Sequence, residues 1–259
     1  MIAPGFAGVE AQLWLWLIAM IRPGAAFVAA PVFGAAAVPV QIRIILSLAI
    51  GMAALNSVPI TLPPDGVASV AGIALVGGEV LAGIALGFAV QLGYSAAYIA
   101  GEVIANAMGL GMATMVDPVS GSSTPVLGQF LSIISTFLFL SMDGHLLLIR
   151  FIVASYTALP PGGGLMPAAA FESIVRFGGT MFAAGVTIAL PVAFTLILVQ
   201  VVMGVLARTA PQLNLFAVGL PATLLAGLVL LAIGAPVIGE GITDALHGGL
   251  DLAQSLAGE

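Results

Sequence analysis

Apolar residues run almost without a break along this chain, and the charged positions are what divide it. Residues 23–42, 44–64, 80–101, 118–142, 151–171, 177–207 and 209–239 carry no charge. A helix that crosses a bilayer needs about 20 mostly apolar residues, so each interval is long enough to hold one. Breaker clusters trim them: Val58-Pro-Ile-Thr-Leu-Pro-Pro-Asp-Gly66 and Leu159-Pro-Pro-Gly-Gly-Gly164 are too dense in Pro and Gly for a helix. The pattern predicts six long helices, at about 10–30, 41–58, 67–105, 126–157, 172–207 and 213–238, followed by a short amphipathic tail over 240–259. No linker long enough to separate two domains interrupts them, so one all-α unit over residues 1–259 is the simplest description.

Composition turns this pattern into a class. Of 259 residues 61% are hydrophobic and 6% charged, against about 25% charged in an ordinary soluble domain. Five arginines, no lysine and eleven carboxylates cannot clothe a water-facing surface, so the chain reads as an integral membrane protein. Five scattered arginines make no basic patch, which excludes a nucleic-acid partner. With no cysteine, thiolate metal sites, disulfides and cysteine nucleophiles are excluded as well. The apolar run Leu13–Ile21 has no basic residue before it and Arg22 after it, which does not read as a cleaved signal peptide.

Three features are unusual for a plain bundle. Glycine is abundant, at 33 residues, and Gly83 and Gly87 form a GxxxG pair of the kind that lets helices approach closely in lipid. Ala105, Gly109 and Ala113 continue small residues at a spacing of four. Packing within the chain is the simpler reading of such stripes and packing against other subunits the sharper one; the stripes alone do not separate them. Prolines at 23, 31, 39, 191, 211, 221 and 236 are expected to interrupt apolar runs, which at membrane depth is tolerated only beside protein or a water-filled cavity. Glu79 and Glu102 sit inside apolar stretches, and Arg22 and Arg43 flank the Pro-rich turn 30–40. Charges at such depth face a bundle interior or a partner charge, unless they lie near a helix end and snorkel to water.

The most informative stretch is 101–124, where Met108, Met112 and Met115 alternate with glycines ahead of a turn at Asp117-Pro118. Glycine lets a backbone bend, and methionine is unbranched and re-packs around different neighbours. A seal that parts and re-forms would need both properties; a plain helix with core methionines has the same composition. Near the other end, Arg208, Gln212 and Asn214 gather around Pro211. A charge and two amides there can satisfy carbonyls that proline frees, or a carboxylate such as Glu79 or Glu102, which suggests a role in assembly. Catalytic signatures are absent: no His-Glu-x-x-His, no Gly-x-Ser-x-Gly and no phosphate loop. His145 and His247 lack metal-ligand spacing, and Asp143-Gly-His145 reads as a turn between two apolar segments rather than as an acid–base pair. Neither an enzyme nor a cofactor or metal is expected.

Three segments together resemble the flagellar biosynthetic protein FliR family, which includes counterparts in virulence-type type III secretion. The first is Arg22-Pro23 … Pro31-Val-Phe-Gly34 … Val38-Pro39 … Arg43. The second runs from Gly101-Glu102 through Met108-Gly109, Met112-Ala113, Asp117-Pro118 and Pro125-Val-Leu-Gly-Gln-Phe130 to Asp143-Gly-His145. The third is Ala189-Leu-Pro191 … Gly204-Val-Leu-Ala-Arg208-Thr-Ala-Pro-Gln-Leu-Asn214 … Gly219-Leu-Pro221. The chain departs from the family pattern at Leu146, where a second His is common, and at Ala222-Thr223, where a basic residue is common.

The resemblance implies one subunit of a flagellar type III export gate, in the bacterial inner membrane within the flagellar basal body. Its early part would be FliP-like and its late part FliQ-like, and its partners would be FliP-like and FliQ-like subunits, FlhB-like and FlhA-like membrane proteins, and membrane lipid. Unfolded flagellar proteins would pass through a shared pore. By position, residues 108–122 match the plug that closes that pore at rest, so Met108, Gly109, Gly111, Met112, Met115, Asp117, Pro118 and Gly121 are the implied seal. Arg22, Arg43, Glu79, Glu102, Arg208, Pro211, Gln212 and Asn214 are the expected assembly or buried-charge positions. A virulence-type gate subunit and a stand-alone small-molecule transporter are the competing readings.

Overall fold

Long uncharged runs become helices here because helical hydrogen bonding satisfies every backbone group within the segment, and little in these runs competes with it. The computed structural model describes residues 7–55, 58, 60–64, 66–110, 126–209 and 215–258. Among the described residues there are seven helices and no strand: α1 (Ala7–Ala29), α2 (Val40–Leu55), α3 (Val70–Ala107), α4 (Val126–Ser141), α5 (Gly144–Ala158), α6 (Ala168–Thr209) and α7 (Leu215–Ala257). α1, α3, α6 and α7 are each long and apolar enough to cross a membrane, and α4 with α5 makes a fifth candidate if the bent pair is one span. The chain is an all-α membrane protein.

Three expectations about the helices change. The run expected as one helix at 126–157 bends by 65° between α4 and α5. Asp143 sits there in the left-handed region, φ 55°, and its carbonyl accepts from the amides of Leu146 and Leu147. The next residue, Gly144, lies so close to the ring of Phe139 that a Cβ would overlap it. Second, the tail at 240–257 is not separate but continues α7. Ile242, Leu246, Leu250 and Ala253 are buried, while Glu240, Asp244, His247 and Asp251 face outward, so a charged stripe marks one face of a helix rather than its end.

Third, Pro23, Pro191, Pro221 and Pro236 do not interrupt their helices, which run through all four. A proline removes one backbone donor and leaves one carbonyl free; neighbouring groups can take that carbonyl, as Tyr156 does for Pro23 below. Pro31 and Pro39 do fall outside helices, in the α1–α2 connection. Pro211 lies outside the described residues.

The chain folds as two compact units, through both of which α3, α6 and α7 pass. One comprises Met1–Gly93, Phe139–Gly178 and His247–Glu259; the other comprises Tyr94–Leu138 and Gly179–Leu246. In the first, α1 packs on α2 and α5, around clusters that include Ile18, Ala19, Ile60 and Leu75, and Ala82, Ala85 and Met166. Gly83 and Gly87 face α1 so closely that a methyl at either would strike the carbonyl oxygens of Arg22 or Ala26. The GxxxG pair therefore serves packing within the chain. In the second unit glycines sit at four close approaches between helices. Gly101 lies on Leu127 and Gly128, Gly185 on Ala96 and Ile99, Gly227 on Met108, and Gly241 on Ile188.

Candidate functional site at the roots of the Gly/Met stretch

Arg22 and Glu79 meet in the first unit. Arg22 is fully buried and Glu79 is 2% exposed. The guanidinium grips the carboxylate with two bonds, Nε to Oε2 at 2.9 Å and Nη2 to Oε1 at 2.8 Å. It also donates to Ser155 Oγ at 3.0 Å and to the carbonyl of Leu159, at the end of α5, at 2.8 Å. The ring of Tyr156 stacks 4.2 Å below Cζ. A buried ion pair is tolerable only when its remaining donors are satisfied; this one ties α1, α3 and α5 together with its guanidinium bonded through all three nitrogens.

Arg43 has a local role. It donates to the carbonyls of Ala35 and Val38 at 2.6 and 3.1 Å, closing the α1–α2 connection in which Val32 holds a φ of 66°, unusual for a β-branched residue.

The second unit holds both roots of the Gly/Met stretch. α3 ends at Ala107, and Gly109 follows in the left-handed conformation, φ 82°, the usual stop for a helix. Helix ends leave carbonyls without intrahelical donors, and here other helices supply them. Gln200 of α6 donates through Nε2 to the Ala107 carbonyl at 2.7 Å. Thr223 of α7 donates through Oγ1 to the Met108 carbonyl at 3.2 Å. The Met108 side chain is buried in the notch over Gly227, where a Cβ would come within 2.6 Å of its Cγ and Cε.

The returning root is α4. A Cβ on Gly101 would lie 2.5–2.6 Å from backbone atoms of Leu127 and Gly128, so α3 and α4 cross backbone to backbone within the first turn of α4. Glu102 covers that crossing. Its Oε1 is buried and has no hydrogen-bond partner among the described residues. Further along, Tyr94 donates toward the Ser132 carbonyl at 2.9 Å and shares a hydroxyl contact with Thr136 at 2.9 Å. Beside these, α4 and α7 line an apolar cleft of about 500 Å³ with Leu127, Phe130, Leu131, Leu228, Leu231 and Ala235.

Of the predicted positions, Arg22 and Glu79 are brought together, Met108 and Gly109 form the end of α3, and Arg208 is exposed in the last turn of α6. Gly111, Met112, Met115, Asp117, Pro118 and Gly121 lie outside the described residues, as do Pro211, Gln212 and Asn214. Sequence reasoning missed Ser155, Tyr156, Gln200, Thr223 and Gly227. Gln200 carried a signal, being the one amide within the uncharged run 177–207.

Residues 13–248 match the family described as Bacterial export proteins, family 1. The chain is similar to the Flagellar biosynthetic protein FliR of Escherichia coli K12, 36% identical over 89% of each chain. It is similar to that of Pectobacterium carotovorum, 37% identical over 81% of this chain and 79% of the relative. It is also similar to the Surface presentation of antigens protein SpaR of Shigella flexneri, 31% identical over 55% of each chain.

Proposed function

The chain belongs to the bacterial export proteins, family 1, and from that premise we propose that it is the FliR-type subunit of a flagellar type III export gate in the bacterial inner membrane. With FliP-like and FliQ-like subunits, and alongside FlhB-like and FlhA-like proteins, it forms the pore that passes unfolded flagellar proteins. Its Gly/Met stretch, residues 108–122, seals that pore at rest. The seal is steric and apolar, so that selectivity comes from width and dewetting rather than from a ring of charge.

The observation that carries this reading is the treatment of the stretch's two roots. The outgoing root is held by side chains from two other helices, Gln200 and Thr223, and the returning root is pressed backbone to backbone on Gly101. A linker that only joins two helices needs neither.

The outer surface supports a many-subunit setting. On α6, Phe194, Ile197, Leu198, Val201, Val202 and Val205 are each half exposed or more. The uncharged run 177–207 is about 46 Å long at 1.5 Å per residue, against a hydrocarbon core of about 30 Å. Lipid covers only part of such a face, and protein subunits cover the rest. Arg208, at the end of that face, acts with Pro211, Gln212 and Asn214 in assembly. The flagellar branch is favoured over the virulence one because the FliR relatives align over most of the chain and SpaR over about half.

Two experiments test the reading. A tagged pull-down from native membranes is expected to recover FliP-like and FliQ-like chains with one copy of this subunit. A particle made of this chain alone would instead favour a stand-alone transporter. Shortening the stretch between Gly109 and Gly121 is expected to make assembled complexes leak ions; unchanged ion flux would remove the seal.

A further inference from the structure

The end of α3 is held by one hydrogen bond from each of two helices and one methionine contact, fewer ties than join at the node around Arg22. Thr223 has one hydroxyl proton and two acceptors in reach, the Met108 carbonyl at 3.2 Å and the Leu220 carbonyl of its own helix at 3.0 Å. On releasing Met108 its hydroxyl still has the Leu220 acceptor. Gln200 is an exposed amide in an uncharged run, where an unbonded amide is costly, and its bond goes to the last helical carbonyl of α3 rather than to its own helix. Met108 fills the notch over Gly227 with an unbranched, deformable chain, and Gly109 behind it supplies a backbone that turns without strain.

We infer that Gln200 and Thr223 are positioning residues that latch the α3 terminus at rest, and that this terminus leaves Gln200, Thr223 and Gly227 each time the gate passes a chain. The inference rests on reading the Gly/Met stretch as the resting seal and names what holds its described end. Opening exchanges the Thr223 bond for one within α7, frees one amide, and withdraws one methionine from its notch.

The protein has no cysteine, so an introduced pair is unambiguous. A cysteine at 108 would put its sulfur where Met108 Cγ now lies, 2.6 Å from the Cβ position of residue 227, within disulfide reach. In the assembled complex in native membranes, Met108→Cys with Gly227→Cys is expected to lose export several-fold on oxidation and to recover it with reductant. Full export by the cross-linked complex would overturn the latch.

A second measurement reads the resting state. Gln200→Leu with Thr223→Val is expected to raise resting ion leak several-fold at unchanged complex yield, while Thr223→Ser, which keeps the hydroxyl, stays tight. If the variant shortened between 109 and 121 leaks and the double variant does not, the latch fails and the seal stands. If the shortened variant is itself tight, the seal fails and the latch with it. Should the double variant not assemble, the cysteine pair decides.

Discussion

The hydroxyl of Tyr156 donates to the carbonyl of Ala19 across 2.7 Å, and Ala19 is the residue whose carbonyl Pro23, four positions on, leaves without a helical donor. A proline inside α1 is thus compensated from α5, 137 residues away along the chain. The same ring lies under Arg22, so the repair of α1 and the buried ion pair share one side chain.

Tyr156→Phe keeps the ring under Arg22 but strands the Ala19 carbonyl, and is expected to cost about 1–3 kcal/mol. Pro23→Ala restores the missing backbone N–H, so adding it to Tyr156→Phe should recover most of that loss. Thermal melts of the two single variants and the double in mild detergent measure the coupling. Additive losses would show that the phenol does not serve the proline.

Removing one partner of the ion pair leaves the other charge buried, so Glu79→Ala is expected to lose about 3–5 kcal/mol and to reduce the yield of chain in membranes sharply. Replacing both, Arg22→Met with Glu79→Met, should recover much of the yield, because two apolar side chains need no partners. Arg22→Lys should not rescue. An ammonium has no planar fork to grip both carboxylate oxygens while also reaching Ser155 and the Leu159 carbonyl. Yield and melting temperature of the parent and the three variants check the order.

How much of this was legible depended on whether a residue's partner lay nearby in sequence. The apolar intervals located where most helices start and stop to within a few residues, as at 67–105, where α3 runs from Val70 to Ala107; the last helix runs on to Ala257, well past the expected 238. The bend at Asp143 was legible as an Asp-Gly turn between two apolar segments, although the expected helix at 126–157 ran through it; its 65° angle emerged only in the fold. The prolines misled because the pattern shows the lost donor at Pro23 and not the Tyr156 hydroxyl that replaces it. At the candidate site, Arg22 and Glu79 were conspicuous as charges in apolar surroundings, but their pairing spans 57 residues and emerged only in the fold. Gln200 was visible as a lone amide. Thr223 was not, since a threonine in a membrane helix commonly bonds its own backbone, as Thr223 also does with Leu220.

The crossing of α3 and α4 gives the last prediction, because its two glycines face different kinds of neighbour. A methyl on Gly101 would meet backbone, the Leu127 carbonyl oxygen at 2.5 Å and the Gly128 nitrogen and Cα at 2.6 Å. Backbone can yield only if the helices part, so Gly101→Ala is expected to cost about 1–3 kcal/mol or more. A methyl on Gly128 would meet side chains instead, Glu102 Oε1 at 2.7 Å and ring carbons of Tyr98 at 3.0 and 3.1 Å. Glu102 can swing aside, so Gly128→Ala should cost under about 1 kcal/mol and leave complex yield near that of the parent. Parting the helices at Gly101 also moves the returning root of the Gly/Met stretch, so whatever Gly101→Ala complex assembles should leak ions while Gly128→Ala complex stays tight. Equal melting temperatures and equal leak for the two variants would mean that the backbone crossing does not fix that root.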